Sequence, residues 1–364
     1  MKRVLCIISS LNAGGAETFL MKIYRTLPNE VYQLDFLVSE ENGCYTEEVL
    51  NRGGRIYFVP TRREHPIKSF WAIMKIVKQN HYKSVLKLGS VPMTVTDLIA
   101  AKLGGAKMLA MRSCNALAGL SVVEKICDFV FRPILNAVAN VKIAPSKLAA
   151  IYTFGKRQVN RGNVYLLNNA VDLNVFSYDE AGREAIRQEL GLQDKLVVGH
   201  IGRFSRQKNH EFLLDIFRAI KEKNENAALL LVGKGELEES IRKKAEELGL
   251  TESVVLTGVR ADVPQLLSAM DVFVFPSLFE GMPNTVIEAQ ATGLPCVIAD
   301  TITPEADITG LVKYLPLEKP ESWAEAALTS VRSERLDTKE MFVHNKYDIN
   351  SVAQEFTRLV FEEA

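Results

Sequence analysis

The sequence is short of several features that would place the protein in other functional classes. No Asp-x-Asp pair occurs in its 364 residues, and only five histidines are present. The five cysteines are scattered without a Cys-x-x-Cys pair, which argues against a zinc site or a disulfide framework and fits a reducing compartment. We therefore expect a cytoplasmic protein without a metal site.

Long hydrophobic runs are also missing. The longest apolar stretch, residues 122–144, is interrupted by charged residues and by Pro133, so it is not expected to span a bilayer. The apolar run at residues 4–8 ends at Ser9 and Ser10, which predicts a buried first strand and not a signal peptide.

Charge of either sign is balanced over the chain but unevenly distributed. Residues 1–161 contain 23 Lys and Arg against 11 Asp and Glu, whereas residues 162–364 contain the remaining 21 and 33. The basic excess of the first part predicts an anionic partner for it. Nothing in the sequence indicates a nucleic-acid partner.

Strand-like runs alternate with amphipathic helical patterns along the whole chain. The predicted strands are residues 4–8, 34–38, 56–59, 84–88, 107–111, 141–144, 197–201, 228–232, 254–256, 272–275 and 295–299. The predicted helices include residues 16–27, 45–52, 67–80, 209–223, 237–248, 263–270, 283–292, 320–333 and 351–363, and a short charged helix within residues 168–195. This alternation predicts α/β architecture with parallel sheets, and two such series, joined within residues 168–195, predict two doubly wound domains.

Two strand-following loops are suited to bind an anion. Ligands of open parallel sheets bind beyond the carboxyl ends of the strands. Gly14 and Gly15 come just before a helix, where paired glycines let backbone amides approach an anion closely. Gly202, Arg203 and Lys208 follow a buried strand, and two cations in one such loop can bind a diphosphate. Neither loop is the Gly-x-Gly-x-x-Gly fingerprint, which argues against a nicotinamide dehydrogenase.

Two further loops carry carboxylates and backbone groups. In residues 256–262, the backbone near Val259 and Arg260 could read the edge of a base. In residues 276–289, Pro283 fits the first helical position, so that Glu280 lies in the loop and Glu288 in the second helical turn. The two carboxylates would then line one pocket at different depths, and the unpaired amides of the first turn would point at the same ligand.

Together these motifs resemble the retaining family 4 glycosyltransferases of GT-B fold, and within them the EpsF-like capsular and exopolysaccharide branch. The resemblance rests on the Gly14-Gly15-Ala-Glu turn, on residues 202–212 and on residues 279–290, and it covers nearly the whole chain. It implies two Rossmann-like domains that face a central cleft with the active site between them. The implied domains are residues 1–167, on the acceptor side, and residues 168–350, which bind the nucleotide sugar, with helix 351–363 crossing back to the first domain.

The resemblance also implies residue roles. Arg203 and Lys208 would hold the donor diphosphate, Glu280 would face the donor sugar and its phosphate, and Glu288 would accept hydrogen bonds from the ribose hydroxyls. The other implied donor-binding residues are Gly14, Gly15, Gly202, Val259, Arg260, Gly281, Met282, Pro283 and Asn284.

The implied activity is metal-independent hexosyl-type transfer with retained configuration, in cell-surface polysaccharide biosynthesis. The donor would be a nucleoside diphosphate sugar, with UDP-sugars favoured, and the acceptor a saccharide or a polyprenyl-diphosphate-linked saccharide. No cofactor is expected, because the loop cations and helix-end amides take the place of the metal. Two alternatives remain: a sugar-nucleotide 2-epimerase of the same fold, and a non-catalytic nucleotide-sugar-binding partner subunit.

The non-catalytic alternative is motivated by one departure from the family pattern. Relatives often carry histidines after two strands of the first domain. Here Leu86, Leu88 and Cys114 stand at those positions, whereas Asn115 is kept.

The helical pattern at residues 66–80 suggests a peripheral membrane contact. Its basic side would carry Lys68, Lys75 and Lys78, and its apolar side Phe70, Trp71, Met74 and Val77. A core-packed helix with a solvated basic back is the alternative to docking on the inner face of an anionic membrane. Further contacts would come from neighbouring basic and apolar residues, namely Arg62, Arg63, Lys83, Lys87, Phe129, Val130, Phe131, Ile134 and Leu135.

Overall fold

The contacts in the computed structural model, which describes residues 1–12, 14–41, 43–114 and 122–362, divide the chain into two α/β units. Unit 1 comprises Met1–Ala170 and the chain from Lys346 onward, and unit 2 comprises Val171–Asn345. Each unit has a parallel sheet of its own with helices on it. Within the described residues, no helix is both long and apolar enough to cross a bilayer.

The described part of unit 1 is built on a seven-stranded sheet of order β3-β2-β1-β4-β5-β6-β7. The strands are β1 (Lys2–Ile7), β2 (Tyr32–Val38), β3 (Ile56–Phe58), β4 (Ser84–Leu88), β5 (Met108–Arg112), β6 (Val141–Ala144) and β7 (Tyr165–Leu166). The helices before residue 170 are α1 (Gly15–Thr26), α2 (Thr46–Asn51), α3 (Pro66–Gln79), α4 (Val95–Leu103), α5 (Val122–Val138), α6 (Lys147–Phe154) and α7 (Lys156–Asn160).

Unit 2 is built on a six-stranded sheet of order β10-β9-β8-β11-β12-β13. The strands are β8 (Leu196–Ile201), β9 (Ala227–Val232), β10 (Val254–Leu256), β11 (Val272–Phe275), β12 (Cys296–Ala299) and β13 (Val312–Leu315). The helices are α8 (Glu180–Leu190), α9 (His210–Lys223), α10 (Glu238–Glu247), α11 (Val263–Ala269), α12 (Asn284–Ala291), α13 (Pro320–Ser330) and α14 (Lys339–His344).

The C-terminal helix completes the core of unit 1. Helix α15 (Ile349–Thr357) continues into a π-helical turn at Arg358–Glu362. Phe356 is fully buried, and its ring lies edge-on to that of Phe19 in α1, with 6.2 Å between the centroids. The apolar face of this segment is therefore covered by the first helix of the same unit.

In each unit the strand order reverses once, and the reversal creates the crevice where ligands of doubly wound sheets bind. In unit 1 the reversal lies between β1 and β4, which are hydrogen-bonded neighbours. In unit 2 it lies between β8 and β11. Loops at the carboxyl ends of these four strands are therefore the positions to examine for function.

The predicted strands and helices agree with the structure to within a few residues, with two local corrections. The prediction that Pro283 is the first helical residue is wrong: α12 begins at Asn284, and Pro283 precedes it in an extended conformation. The structure also adds the short strands β7 and β13, which the sequence pattern did not predict.

The predicted surface around α3 needs three corrections. Trp71 was assigned to the core-packed side but is 57% exposed, because the buried stripe consists of Ser69, Ile73 and Val77. Lys87 is buried in strand β4, and Leu135 is fully buried, so neither belongs to an exposed patch. Lys68, Lys75 and Lys78 are exposed, as predicted.

The residues that stand where relatives often carry histidines belong to the core of unit 1 or pack against it. Leu86 and Leu88 are buried in it, and Cys114 packs against it. Asn115, the residue kept from the family pattern, lies outside the described residues. The substitutions thus place apolar or weakly polar side chains against the sheet.

Candidate active site

The predicted donor-site residues of unit 2 follow three strands: Val259 and Arg260 follow β10, and the others follow β8 or β11. The loop after β8 and the loop after β11 are tied together by two hydrogen bonds. The backbone amide of Leu278 donates to the carbonyl oxygen of Gln207 at 2.9 Å, and the Gln207 side-chain amide donates to the carbonyl oxygen of Phe279 at 2.9 Å. The two loops therefore form one structural element at the point where the strand order reverses.

Lys208 and Glu280 meet across these two loops. The Lys208 Nζ lies 2.7 Å from the Glu280 Oε1, and their side chains are only 17% and 10% exposed. The same ammonium lies 4.4 Å from the centroid of the Phe275 ring, within cation–π distance. Lys208 is thus fixed in position by one carboxylate and one aromatic ring, and its ammonium group has three N–H donors.

Arg203 lies in the same loop as Lys208 but pairs with a different carboxylate. Its side chain is 74% exposed and lies 3.1 Å from the carboxylate of Glu236, which is itself 54% exposed. Exposed ion pairs of this kind contribute little to stability, so exchanging Glu236 for a ligand phosphate would cost little. The structure therefore brings Glu280 to Lys208 and leaves Arg203 on the rim.

The predicted donor-binding residues in the loop before α12 are buried. Glu280 is 9% exposed, and Gly281, Met282 and Pro283 are buried with it. Glu288 lies in the second turn of α12, as predicted, and is 8% exposed. Because proline has no N–H, the backbone donors of this segment are those of Gly281, Met282 and Asn284.

The loop after β10 contains Gly258, Val259 and Arg260. Val259 is 74% exposed, and Gly258 has a φ of +71°, which suits glycine. The Arg260 guanidinium donates hydrogen bonds to two carboxylates, those of Asp262 and Glu189. These hydrogen bonds, that to Asp262 first and that to Glu189 second, raise the pKa of Arg260. Recognition of a base here would accordingly fall on the backbone of Val259 and Arg260.

In unit 1, Gly14 and Gly15 lie at the start of α1, directly after β1. Gly14 is the N-cap in an extended conformation, and Gly15 is the first helical residue. A Cβ added at Gly14 would overlap the carboxylate of Glu17, whose pKa is raised chiefly by burial. The space that a side chain at residue 14 would fill is thus taken by the carboxylate of Glu17, at the N-terminus of the helix.

Sequence reasoning missed a buried histidine pair behind Lys208. His200 lies in β8 and His210 starts α9, and their ring centroids are 4.7 Å apart. His200 Nδ1 is 2.9 Å from the Val274 carbonyl oxygen. Burial lowers the pKa of both rings, that of His210 to about 4, and the Lys208 charge lowers both further. Both rings are therefore neutral near pH 7. The histidine inside the apolar run of β8 was the sequence signal that could have identified the pair.

A glycine-rich loop after β9 was also missed. Gly233 has a φ of +141°, and a Cβ there would overlap the carbonyl oxygen of Gly202. The loop continues through Lys234 and Gly235 to Glu236, the partner of Arg203. Two glycines flanking a lysine after a predicted strand could have identified it.

The described residues contain no group of three or more His, Cys, Asp or Glu placed to hold a metal ion. The charged residues of the predicted donor site are Arg203, Lys208, Arg260, Glu280 and Glu288, and Glu236 pairs with Arg203. A cation that the fold holds in position, such as Lys208, can stabilise negative charge on an anionic ligand.

Comparison with known proteins identifies the family. Residues 195–333 match the model of the glycosyl transferases group 1. A protein of Bacillus subtilis (strain 168) named as a glycosyltransferase, EpsF, is 34% identical over 95% of this chain and 93% of its own. The UDP-Gal:alpha-D-GlcNAc-diphosphoundecaprenol alpha-1,3-galactosyltransferase of Escherichia coli is 28% identical over 79% of this chain and 76% of its own.

A solved structure supports the fold. The crystal structure of Anabaena HepE in complex with UDP-glucose superposes with a TM-score of 0.78 at 20% identity, covering 98% of both chains. The predicted fold class of two Rossmann-like domains is thereby confirmed, and so is the predicted family. The chain belongs to the group 1 glycosyltransferases, and its nearly full-length similarity to EpsF places it among the EpsF-like members.

Proposed function

We propose that this glycosyltransferase moves a sugar from a nucleoside diphosphate sugar, with UDP-sugars favoured, to a saccharide or lipid-linked saccharide acceptor in polysaccharide assembly. The observation that carries the proposal is the Lys208–Glu280 pair at the reversal point of the unit 2 sheet. Two neighbours support the choice of substrates: HepE was crystallised with UDP-glucose, and the E. coli relative is named for a UDP-Gal donor and a diphosphoundecaprenol-linked acceptor.

Lys208 and Arg203 bind the donor diphosphate in this proposal. Departure of the nucleoside diphosphate builds negative charge on the β-phosphate, and a cation fixed before the reaction stabilises that charge without reorganising. Lys208 is such a cation, because Glu280 and Phe275 hold it in place. Arg203 reaches the phosphate by leaving Glu236, and the amides of Gly281, Met282 and Asn284 supply further donors.

Glu280 and Glu288 bind different parts of the donor in this proposal. Glu280 lies at the loop end of the pocket beside Lys208, where the reacting sugar and its phosphate would be. Glu288 lies one helical turn further on, and it accepts hydrogen bonds from the ribose hydroxyls. The backbone of Val259 and Arg260 faces the base.

Transfer proceeds with retention of configuration and without a metal. The bond from the anomeric carbon to the leaving phosphate oxygen breaks while the acceptor oxygen bonds to the same face of that carbon. The acceptor proton passes to the departing phosphate oxygen. We assign no protein nucleophile, because the acceptor oxygen bonds directly to the anomeric carbon on the face that the phosphate leaves.

The same proposal places unit 1 at the inner face of an anionic membrane. The exposed face of α3 carries three lysines together with Ile67 and Trp71, which are 73% and 57% exposed. Basic residues attract anionic headgroups, and adjacent apolar side chains insert into the interface. A lipid-linked acceptor would be presented at that surface.

A thermal-shift panel of UDP-sugars and GDP-sugars tests the proposal. A true donor at 100 times its dissociation constant adds about 2.7 kcal/mol to the free energy of unfolding. We expect one donor to stabilise the wild type and to lose most of this effect in Lys208→Met. Donor turnover that depends on acceptor, with an NMR-assigned product of unchanged anomeric configuration, distinguishes the transferase from an epimerase and from a binding subunit. An inverted product, or no stabilisation by any donor, would refute the proposal.

A further inference from the structure

A cavity lies in unit 1, and none of the residues assigned to the donor line it. Its volume is about 1180 Å³. Ser9, Ser39 and Thr61, which follow β1, β2 and β3, line it together with Lys87 near the end of β4. It therefore lies at the carboxyl edge of the sheet, beside the β1–β4 reversal point, where doubly wound sheets bind ligands.

The cavity has an apolar wall that is left open to solvent. Ile67, Trp71 and Met93 line it and are 73%, 57% and 40% exposed. Phe70 and Phe131 extend the same wall. A concave group of exposed large apolar side chains is typical of a binding site for an apolar ligand, since covering them removes unfavourable contact with water.

The lining also contains five charged residues, of which three are cations. Lys87 lies in the sheet, and its Nζ is 2.9 Å from the Asp97 Oδ2; the Arg62 Nη1 is 3.3 Å from the same oxygen. The buried carboxylate of Asp97 thus forms ion pairs with both Lys87 and Arg62. Arg63 makes no ion pair within the described part of the chain, and the exposed Glu40 is the other acid of the lining. Three cations against two carboxylates favour an anionic ligand group.

We propose that this cavity binds the lipid phosphate of a lipid-linked acceptor, an inference that rests on the proposed function. The apolar chain packs against Ile67, Trp71 and Met93, and the phosphate is bound by Arg62 and Arg63. A free saccharide fits this lining poorly, because its hydroxyls would face the apolar wall without hydrogen-bond partners. The observation that selects the ligand class is the apolar wall and the cation excess within one cavity.

The protein contains a natural reporter for this site. Of its two tryptophans, Trp71 lines the cavity, whereas Trp323 is fully buried in unit 2. The probes are farnesyl diphosphate, farnesol and inorganic pyrophosphate, each added to the full chain below the micelle concentration of the lipids. We expect farnesyl diphosphate to shift Trp71 emission to the blue with saturation, and farnesol to bind at least tenfold more weakly. Pyrophosphate should cause no shift, and Trp71→Phe should abolish the response.

Variants separate the head group from the chain. Arg62→Ala with Arg63→Ala should weaken farnesyl diphosphate at least tenfold and leave farnesol unchanged, whereas Met93→Glu should weaken both. The control Lys102→Ala removes an exposed lysine of α4 outside the cavity and should change neither. Equal binding of farnesol and farnesyl diphosphate, a shift with pyrophosphate alone, or no shift with any probe would each overturn the inference.

Titration with UDP keeps the inference distinct from the proposed function. UDP binding without farnesyl diphosphate binding overturns the lipid site alone. Farnesyl diphosphate binding without UDP binding overturns the donor proposal, and with it the identification of the lipid as an acceptor. Binding of both, with only the lipid weakened by the arginine changes, is the result we expect.

Discussion

The two units share a sheet plan but use it differently. Both reverse their strand order once, between β1 and β4 in unit 1 and between β8 and β11 in unit 2. At the unit 2 reversal, short loops hold a buried ion pair, Lys208–Glu280, among glycines. At the unit 1 reversal, an apolar-walled cavity is formed, with Lys87 and Asp97 at its base.

The difference shows that one sheet plan can carry different surfaces at its reversal point. A site with fixed charges suits a nucleoside diphosphate, whose charge needs fixed donors, whereas a large apolar-walled cavity suits an amphipathic molecule. The charge distribution follows the same division: residues 1–161 carry a basic excess and residues 162–364 an acidic one. The following predictions test this division, in order of the expected effect.

Removing the Lys208 charge should have the largest effect. Lys208→Met keeps the side-chain stem beside Phe275 but removes the ammonium, and we expect turnover to fall at least 100-fold, equivalent to about 3 kcal/mol. Lys208→Arg should recover part of the activity. The control Lys243→Ala, at an exposed lysine of the same unit, should not alter it. Near-normal turnover of Lys208→Met would contradict the role of this cation.

The buried histidine pair should make unit 2 sensitive to acid. The pKa of His210 is about 4 in the folded chain, below its ordinary value near 6.5, so the unfolded state takes up the proton first. Stability contributed by the neutral ring is present above pH 6.5 and is lost as pH falls toward 4. Between pH 7 and pH 5 we expect a loss of about 2 kcal/mol from this residue.

Urea unfolding followed by Trp323 fluorescence in a Trp71→Phe background measures that loss for unit 2. His210→Phe should flatten the dependence on pH. An unchanged slope in this variant would show that other groups govern acid unfolding.

Membrane affinity should be a property of unit 1 alone. Reversal of the three exposed lysines of α3, each worth about 1 kcal/mol near an anionic surface, should release the protein from anionic liposomes at low salt while UDP affinity stays unchanged. High salt should have the same effect in the wild type. The variant residues are Lys68, Lys75 and Lys78. The control reverses three exposed lysines of unit 2, Lys223, Lys243 and Lys339. Equal release by both variants, or no liposome binding at low salt, would refute the docking face.

Replacing Glu280 or Glu288 should have smaller effects, and the two replacements should affect different kinetic quantities. Glu288→Gln should weaken donor binding about tenfold with less effect on turnover, because a charge-assisted hydrogen bond contributes about 1.5–3 kcal/mol. Glu280→Gln should lower turnover more than affinity. Calorimetry beside steady-state kinetics measures both, and the reverse order would exchange the two roles.

The unit 2 site was accessible to sequence reasoning because its residues are local. Glu280 and Glu288 belong to one strand-loop-helix segment, and Arg203 and Lys208 to another. What the sequence could not supply was the pairing of Lys208 with Glu280, 72 residues apart, which depends on two strands being neighbours.

The unit 1 cavity was hidden from sequence reasoning because several elements build it. Lys87 was counted with an exposed basic patch, yet Asp97 in α4 neutralises it inside the sheet. Trp71 was placed on the apolar side of the helix, but it is 57% exposed, because a helical wheel cannot show how wide the buried stripe will be. Strands β7 and β13 were missed since one has two residues and the other is only partly buried.

Calorimetric titration of UDP in excess EDTA tests the central claim most directly. The account predicts saturable binding without added metal by the wild type and by Lys243→Ala, and binding about 100-fold weaker by Lys208→Met. Equal UDP affinity in all three proteins, or binding that appears only when magnesium or manganese is restored, would contradict it.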